Sequence, residues 1–170
     1  PTPSLALRQS RAVAREMADC AVRALNNALT ALDHNTPELA QSIRDDEELC
    51  DHYEDILGTY LVKLSTQKMG RDESEEATEL LKTIGDFERI SDHAVNILSS
   101  AEEMEQKGLM FSGSALNELA ILTSAIREIL SLSLKSFSSQ DVALAQQVEP
   151  LEQVIDTLKE QMRTRHILRM

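Results

Sequence analysis

A chain of 170 residues is long enough to bury a core without disulfide or metal staples. Its 29 acidic side chains against 17 basic ones leave a formal charge of −12, which repels phosphate backbones and anionic lipid and so argues against nucleic acid and lipid surfaces as partners. The two cysteines, Cys20 and Cys50, each sit in an apolar helical pattern and point to a reducing, cytoplasmic setting rather than a disulfide framework. No stretch reaches the roughly 20 apolar residues of a membrane span. The best, Leu116 to Leu134, is broken by Glu118, Arg127 and Glu128, and no signal peptide is visible. The sequence opens at Pro1 rather than at a methionine, which fits a fragment of a longer protein and equally a processed chain or one from which a tag was removed.

Apolar residues recur at three- and four-residue intervals, and five glycines and four prolines are too few for an all-β chain, so the pattern predicts five long helices. The first runs from Ser4 to Leu32, with Val13, Met17, Cys20, Ala21, Ala24, Ala28 and Leu29 on a small-residue face. Thr36 as N-cap with Pro37 at the first helical position starts the second, because proline gives up an amide that would be orphaned there anyway. That helix is expected to reach Gln67. Asp72 and Glu75 resemble a capping box for a third helix ending near Gln106 or Lys107. Ser114 is the expected cap of a fourth helix ending near Ser139, and Asp141 that of a fifth. Pro150 is expected to kink this last helix or to move its true start downstream.

One internal match is present. LAQSI (Leu39–Ile43) recurs as LAQQV (Leu144–Val148), and the same offset superposes Glu47 on Glu152, Leu49 on Val154 and Asp51 on Asp156. The second and fifth helices therefore look like copies of one unit, with residues 1–108 a first three-helix repeat and 109–170 an incomplete second one. On that reading the equivalent of Glu88 falls beyond Met170, and the sequence is expected to stop before a sixth helix.

Three Glu-x-x-x-Asp pairs stand out: Glu47 with Asp51, Glu88 with Asp92, and Glu152 with Asp156. Carboxylates four apart on a helix face each other and repel by a few tenths of a kcal/mol, and a cation reverses that sign. Helices two and three turn back near Gly70, and the first two pairs are equidistant from that turn, so an antiparallel hairpin brings them level. Glu88 lies at the edge of the stripe Leu80, Ile84, Phe87, Ala94, Val95 and Leu98; Glu47 and Asp51 flank the stripe Leu49, Tyr53, Leu57, Tyr60 and Leu64. A surface site follows, whose oxygen ligands suit Mg²⁺, Ca²⁺, Mn²⁺ or iron. Against it stands composition: 29 acids make such pairs common on any solvated face.

Histidine chemistry is not supported. His93 falls opposite the apolar stripe of its helix, and Ala31, Leu49, Ile90 and Arg163 stand three residues before the four histidines, so the Glu-x-x-His motifs of a di-iron enzyme are missing. No Gly-rich phosphate loop, nucleophile elbow or zinc-type cysteine spacing occurs. No catalytic nucleophile is paired with a base. Gly85, in mid-helix, costs about 1 kcal/mol against alanine and suggests a close helix approach.

The run Ile84-Gly-Asp-Phe-Glu-Arg-Ile-Ser-Asp-His-Ala-Val-Asn-Ile97 resembles the third-helix signature of PhoU, the phosphate-uptake regulator family, with Ser91 in place of the usual glycine. LGTYLVKL (Leu57–Leu64) and TPSLAL (Thr2–Leu7) resemble more closely the PhoU domain appended to bacterial sodium/phosphate cotransporters. The resemblance implies an all-α fold of tandem three-helix bundles, no catalysis, and surface metal clusters held by E(D)-x-x-x-D motifs. By position it carries Glu88 and Asp92 well, Glu47, Asp51, Glu152 and Asp156 less closely, and adds Glu54 and Asp55 one turn on. Its main implication is a regulatory domain at the cytoplasmic face of the membrane, working on the transporter portion of the same polypeptide. The alternatives are a stand-alone adaptor contacting a phosphate ABC transporter and a sensor kinase, and a helical interaction domain without metal. With a sixth helix missing, a homodimer or swapped arrangement is expected.

Overall fold

The structure is a computed structural model that describes residues 2–169. The fold is all-α: α1 (Pro3–Ala31), α2 (Pro37–Ser65), α3 (Arg71–Gln106), α4 (Gly113–Ser139), α5 (Val142–Ala145) and α6 (Val148–Arg169). Five are long helices and α5 is a single turn. The chain divides between Glu103 and Met104 into two compact units.

In the first unit α1, α2 and α3 form an antiparallel up-down-up bundle. Pairs across the seams fix this order. Arg23 donates to Asp46 and the Tyr53 hydroxyl to Glu16 between α1 and α2, while Arg44 donates to Glu102 between α2 and α3. Arg11 reaches Glu76 across the α1–α3 seam. The α1 face is built from small side chains, Ala14, Ala18, Ala21, Ala24 and Ala28, all fully buried. Small residues let helix backbones approach closely. Leu7, Met17, Ile43, Leu61, Leu80, Ile84 and Leu98 fill the rest of the core, each contributing roughly 2 kcal/mol through burial.

Local signals explain the helix ends. Thr36 Oγ1 accepts from the Leu39 amide at 3.1 Å with Pro37 beside it, as the sequence dictates. The second start differs: α3 begins at Arg71, Glu73 reaches back to the Gly70 amide at 3.0 Å, and Glu75 pairs with Arg71, so the Asp72 capping box does not form. Two carboxylates within the first turn compete for the same orphan amides, and Glu73 takes one.

In the second unit Ser112, not Ser114, caps α4, accepting from the Ala115 amide at 3.3 Å. Gln140 closes α4 in the left-handed conformation at φ 55°, where glycine is the usual occupant. Asp141 caps as expected, taking the Ala143 and Leu144 amides, but the helix it starts lasts one turn. Pro150 sits in the first turn of α6, where its missing amide costs nothing, so the long helix starts afresh at Val148. Among the described side chains of α4 and α6, Leu130 alone is buried.

The core face of α2 differs from the expected stripe. Leu57 and Leu64 are buried, but Leu49 and Tyr60 are each 38% exposed, and the true seam runs through Ala40, Ile43, Asp46, Cys50, Leu57, Leu61 and Leu64. Gly85 is not pinned by a close approach either. A Cβ there would meet Glu54 Oε1 at 3.8 Å, an ordinary contact.

Candidate metal centre

Antiparallel packing of α2 on α3 brings the two expected carboxylate pairs level. Carboxylate oxygens of Glu47 and Asp51 on α2 and Asp92 on α3 all lie within 4.8 Å of one another. Oxygens held about 2.1–2.4 Å from a shared cation stand at most about 4.8 Å apart, so three donors are spaced for one ion of the Mg²⁺ or Ca²⁺ kind. Glu88, one turn before Asp92, lies outside this trio and acts on it through the Asp92 carboxylate.

The electrostatics follow from like charges gathered on one seam. Partial burial, then the hydrogen bond to Asp92, then the charges of Asp92, Glu54 and Asp51 push the Glu88 carboxyl up from 4.5 to about 7. Burial first, then Asp51, Asp92 and Glu48, raises Glu47. Burial first, then Asp92, Asp55 and Glu48, raises Asp51. None of these carboxylates has an ion pair with a lysine or arginine among the described residues. Such an all-oxygen set without an internal counter-ion fits a hard cation, which would reverse each repulsion.

Other acids are placed differently. Glu54 lies beside Gly85 and acts on Glu88, and Asp55 acts on Asp51, so both border the site one turn on. Glu152 and Asp156 are exposed on α6. Asp156 accepts from Lys159 at 2.8 Å, and no third carboxylate joins this pair among the described residues. All four histidines are exposed and none joins a cluster of candidate ligands among the described residues.

One acid in the core was not singled out by the sequence. Asp46 is 6% exposed and accepts from Arg23 Nε at 2.9 Å and Nη2 at 2.5 Å. Its place between Ile43 and Cys50 on the apolar arc is the signal that finds it. Nearby, Cys50 is fully buried, its thiol pushed up to about 12 chiefly by that burial, and it donates to the Met17 carbonyl at 3.7 Å across the α1–α2 seam.

No helix of the described residues is long and apolar enough to cross a membrane. No curated protein and no solved structure matches the chain. The family model described as "PhoU domain" matches residues 14–101, which includes the whole α2–α3 carboxylate cluster. Domains of that family are regulatory and non-catalytic. With just over half of its length matched, this chain belongs to the PhoU family.

Proposed function

We propose that this chain regulates phosphate uptake as a PhoU-type signalling adaptor, and that its acidic α2–α3 seam carries a divalent or iron-type cation. One observation carries the metal half of this reading: Glu47, Asp51 and Asp92 present oxygens within 4.8 Å of one another inside the family-matched region. Glu88, Glu54 and Asp55 border that position and supply further charge. The ion acts here as a structural and electrostatic element, neutralising the seam that a partner surface meets. In the adaptor reading the partners are a phosphate ABC transporter and its sensor kinase.

Elemental analysis of protein purified without chelator tests the site. Bound metal in the wild type and its loss in Glu88→Ala/Asp92→Ala are expected. A metal-free wild type, or equal metal in the variant, leaves only a helical interaction domain with solubilising acids. For the regulatory half, deletion of the gene is expected to alter phosphate-dependent expression or uptake in the host cell. Unchanged uptake across phosphate-replete and phosphate-starved growth would refute it.

A second reading has its own support. LGTYLVKL (Leu57–Leu64) and TPSLAL (Thr2–Leu7) resemble the domain appended to sodium/phosphate cotransporters. In that reading the domain sits at the cytoplasmic face of the membrane and modulates the transporter portion of the same polypeptide. Transmembrane segments encoded in frame before Pro1 distinguish the two readings. The assignment of residues 1–108 and 109–170 as a complete and an incomplete repeat belongs to both, as does a weaker site at Glu152 and Asp156.

A further inference from the structure

Helix α2 carries a second apolar line besides the one it buries. Leu49, Tyr53, Ile56 and Tyr60 recur at i, i+4, i+7 and i+11, so they stand in one row about 17 Å long within an arc of about 60°. That row is turned about 90° from the core seam of Ile43, Cys50, Leu57 and Leu61. Three of the four are exposed, Ile56 most at 52%, and Tyr53 is half-buried. The three-helix core is closed without them. Its line on α2 is buried, and α3 covers the other flank of that helix, where Glu47 and Asp51 meet Asp92. A surface helix packing on one core needs a single apolar stripe, so a second contiguous one marks a surface that meets something else.

Helix α1 supplies the second wall of a groove. Tyr53 donates to Glu16 at 3.1 Å, and Leu5, Ala12 and Glu16 lie on one face of α1, all exposed. The register of the Tyr53–Glu16 and Arg23–Asp46 pairs puts the small Ala12 about level with Ile56, which leaves the groove open there. Its rim is acidic. From Asp45 to Val62 the chain has seven acidic residues and no lysine or arginine; Asp45 and Glu48 border the row on α2, and Glu16 and Asp19 stand on the α1 side. Lys63 comes only past the Tyr60 end. An apolar row of three turns between acidic rims is complementary to a helix with a matching apolar stripe flanked by lysine or arginine, the helix-in-groove mode of recognition. The same rims repel anionic lipid and steer a cationic partner inward. Tyrosine, apolar in its ring and polar at its tip, suits a face that is wet until occupied.

We propose that the α1–α2 groove docks the apolar face of a basic amphipathic helix from a partner protein. The groove lies on the flank of α2 away from the acidic seam, so the proposal stands whether or not that seam holds metal. Fluorescence anisotropy of the full chain in chelator tests it. The probe is a fluorescein-labelled peptide of about 15 residues with leucines at i, i+4, i+7 and i+11 and lysines on its other faces. Micromolar binding is expected, weakened at least about tenfold by Ile56→Glu. That variant adds a negative charge, which alone tightens a cationic peptide, so its loss reads the apolar contact. Val62→Glu makes the same charge change at a residue 56% exposed on the opposite flank of α2 and leaves binding unchanged. Should Ile56→Glu lose helix content by far-UV CD, Ile56→Gln replaces it, with a weakening of about fivefold. No binding by the wild type, or equal losses in Ile56→Glu and Val62→Glu, overturns the proposal. Equal binding of a scrambled peptide of the same composition, or of one with glutamate for lysine, does so too. Co-sedimentation of the wild type but not Ile56→Glu with phosphatidylcholine vesicles also overturns it, and assigns the row to a lipid surface.

Discussion

Replacing Glu88 by glutamine removes one negative charge from the seam while keeping the side chain's length and its ability to hydrogen-bond Asp92. In the metal-free protein Glu88 holds its proton up to about pH 7, whereas an unfolded chain releases it near 4.5. The folded state therefore binds more protons than the unfolded state between those values, and stability falls as pH rises through them. The difference sets an upper bound of roughly 3 kcal/mol, and solvent screening at this half-exposed site reduces it to about 1 kcal/mol. In chelator at pH 8, Glu88→Gln is thus expected to be more stable than wild type by about 1 kcal/mol, or about 3 °C in melting temperature. At pH 4.5 the two proteins should melt together. Saturating metal should reverse the order, because ligand at about 100 times its Kd adds about 2.7 kcal/mol to a wild type that binds it and less to the variant. Thermal melts by circular dichroism at the two pH values, with chelator and with metal, measure all four cases. A variant less stable than wild type in chelator at pH 8, or an equal difference at both pH values, would refute the reasoning.

Gly85→Ala is expected to stabilise the protein by about 1 kcal/mol in urea unfolding, since an added Cβ finds ordinary contact at 3.8 Å and glycine in a helix interior is costly. A loss of stability would show that the helix needs the glycine. Arg23→Ala strips both donors from the buried Asp46 carboxylate and should cost about 2 kcal/mol. Arg23→Ala/Asp46→Ala should cost less than the sum of the single changes, and strict additivity would mean that the pair is not coupled. Burial raises both thiols, Cys50 to about 12, so neither should react with a disulfide reagent at pH 8 until denaturant unfolds the chain. Fast labelling of the native protein would contradict the burial of both.

Helix existence was legible because each long helix carries its own period. Boundaries were legible where one residue monopolised the capping role, as Thr36 does before Pro37. They slipped where neighbours competed: Ser112 caps α4 two residues ahead of Ser114, and Glu73 rather than Glu75 closes the start of α3. The α2 core face slipped for a different reason. A stripe drawn through the largest apolar residues selects Leu49, Tyr53 and Tyr60, but the tight seams are made by small ones, Ala40 and Cys50. Size attracts attention in a sequence, whereas closeness decides the packing.

The level placement of Glu47 and Asp51 with Glu88 and Asp92 was readable because a short turn at Gly70 fixes the register of the α2–α3 hairpin. Which oxygens converge was not readable, since that depends on how far each helix is rotated about its axis. The small residues settle the rotation. Gly58 packs toward Ile84, and Cys50 and Ser91 are both fully buried in the same core. Ser91 also donates to the Glu88 carbonyl at 2.7 Å, one turn back on the strip that bears the acids. This seam is held at close range by groups that contribute little charge, and the acids along its rim are drawn together by packing rather than by their own attraction. The repulsion among Glu47, Asp51 and Glu88 is therefore a consequence of the core, and a cation bound there would relieve it. A bulkier residue at Gly58 or Ser91 should accordingly weaken metal binding by spreading the rim, even though neither side chain would be a ligand.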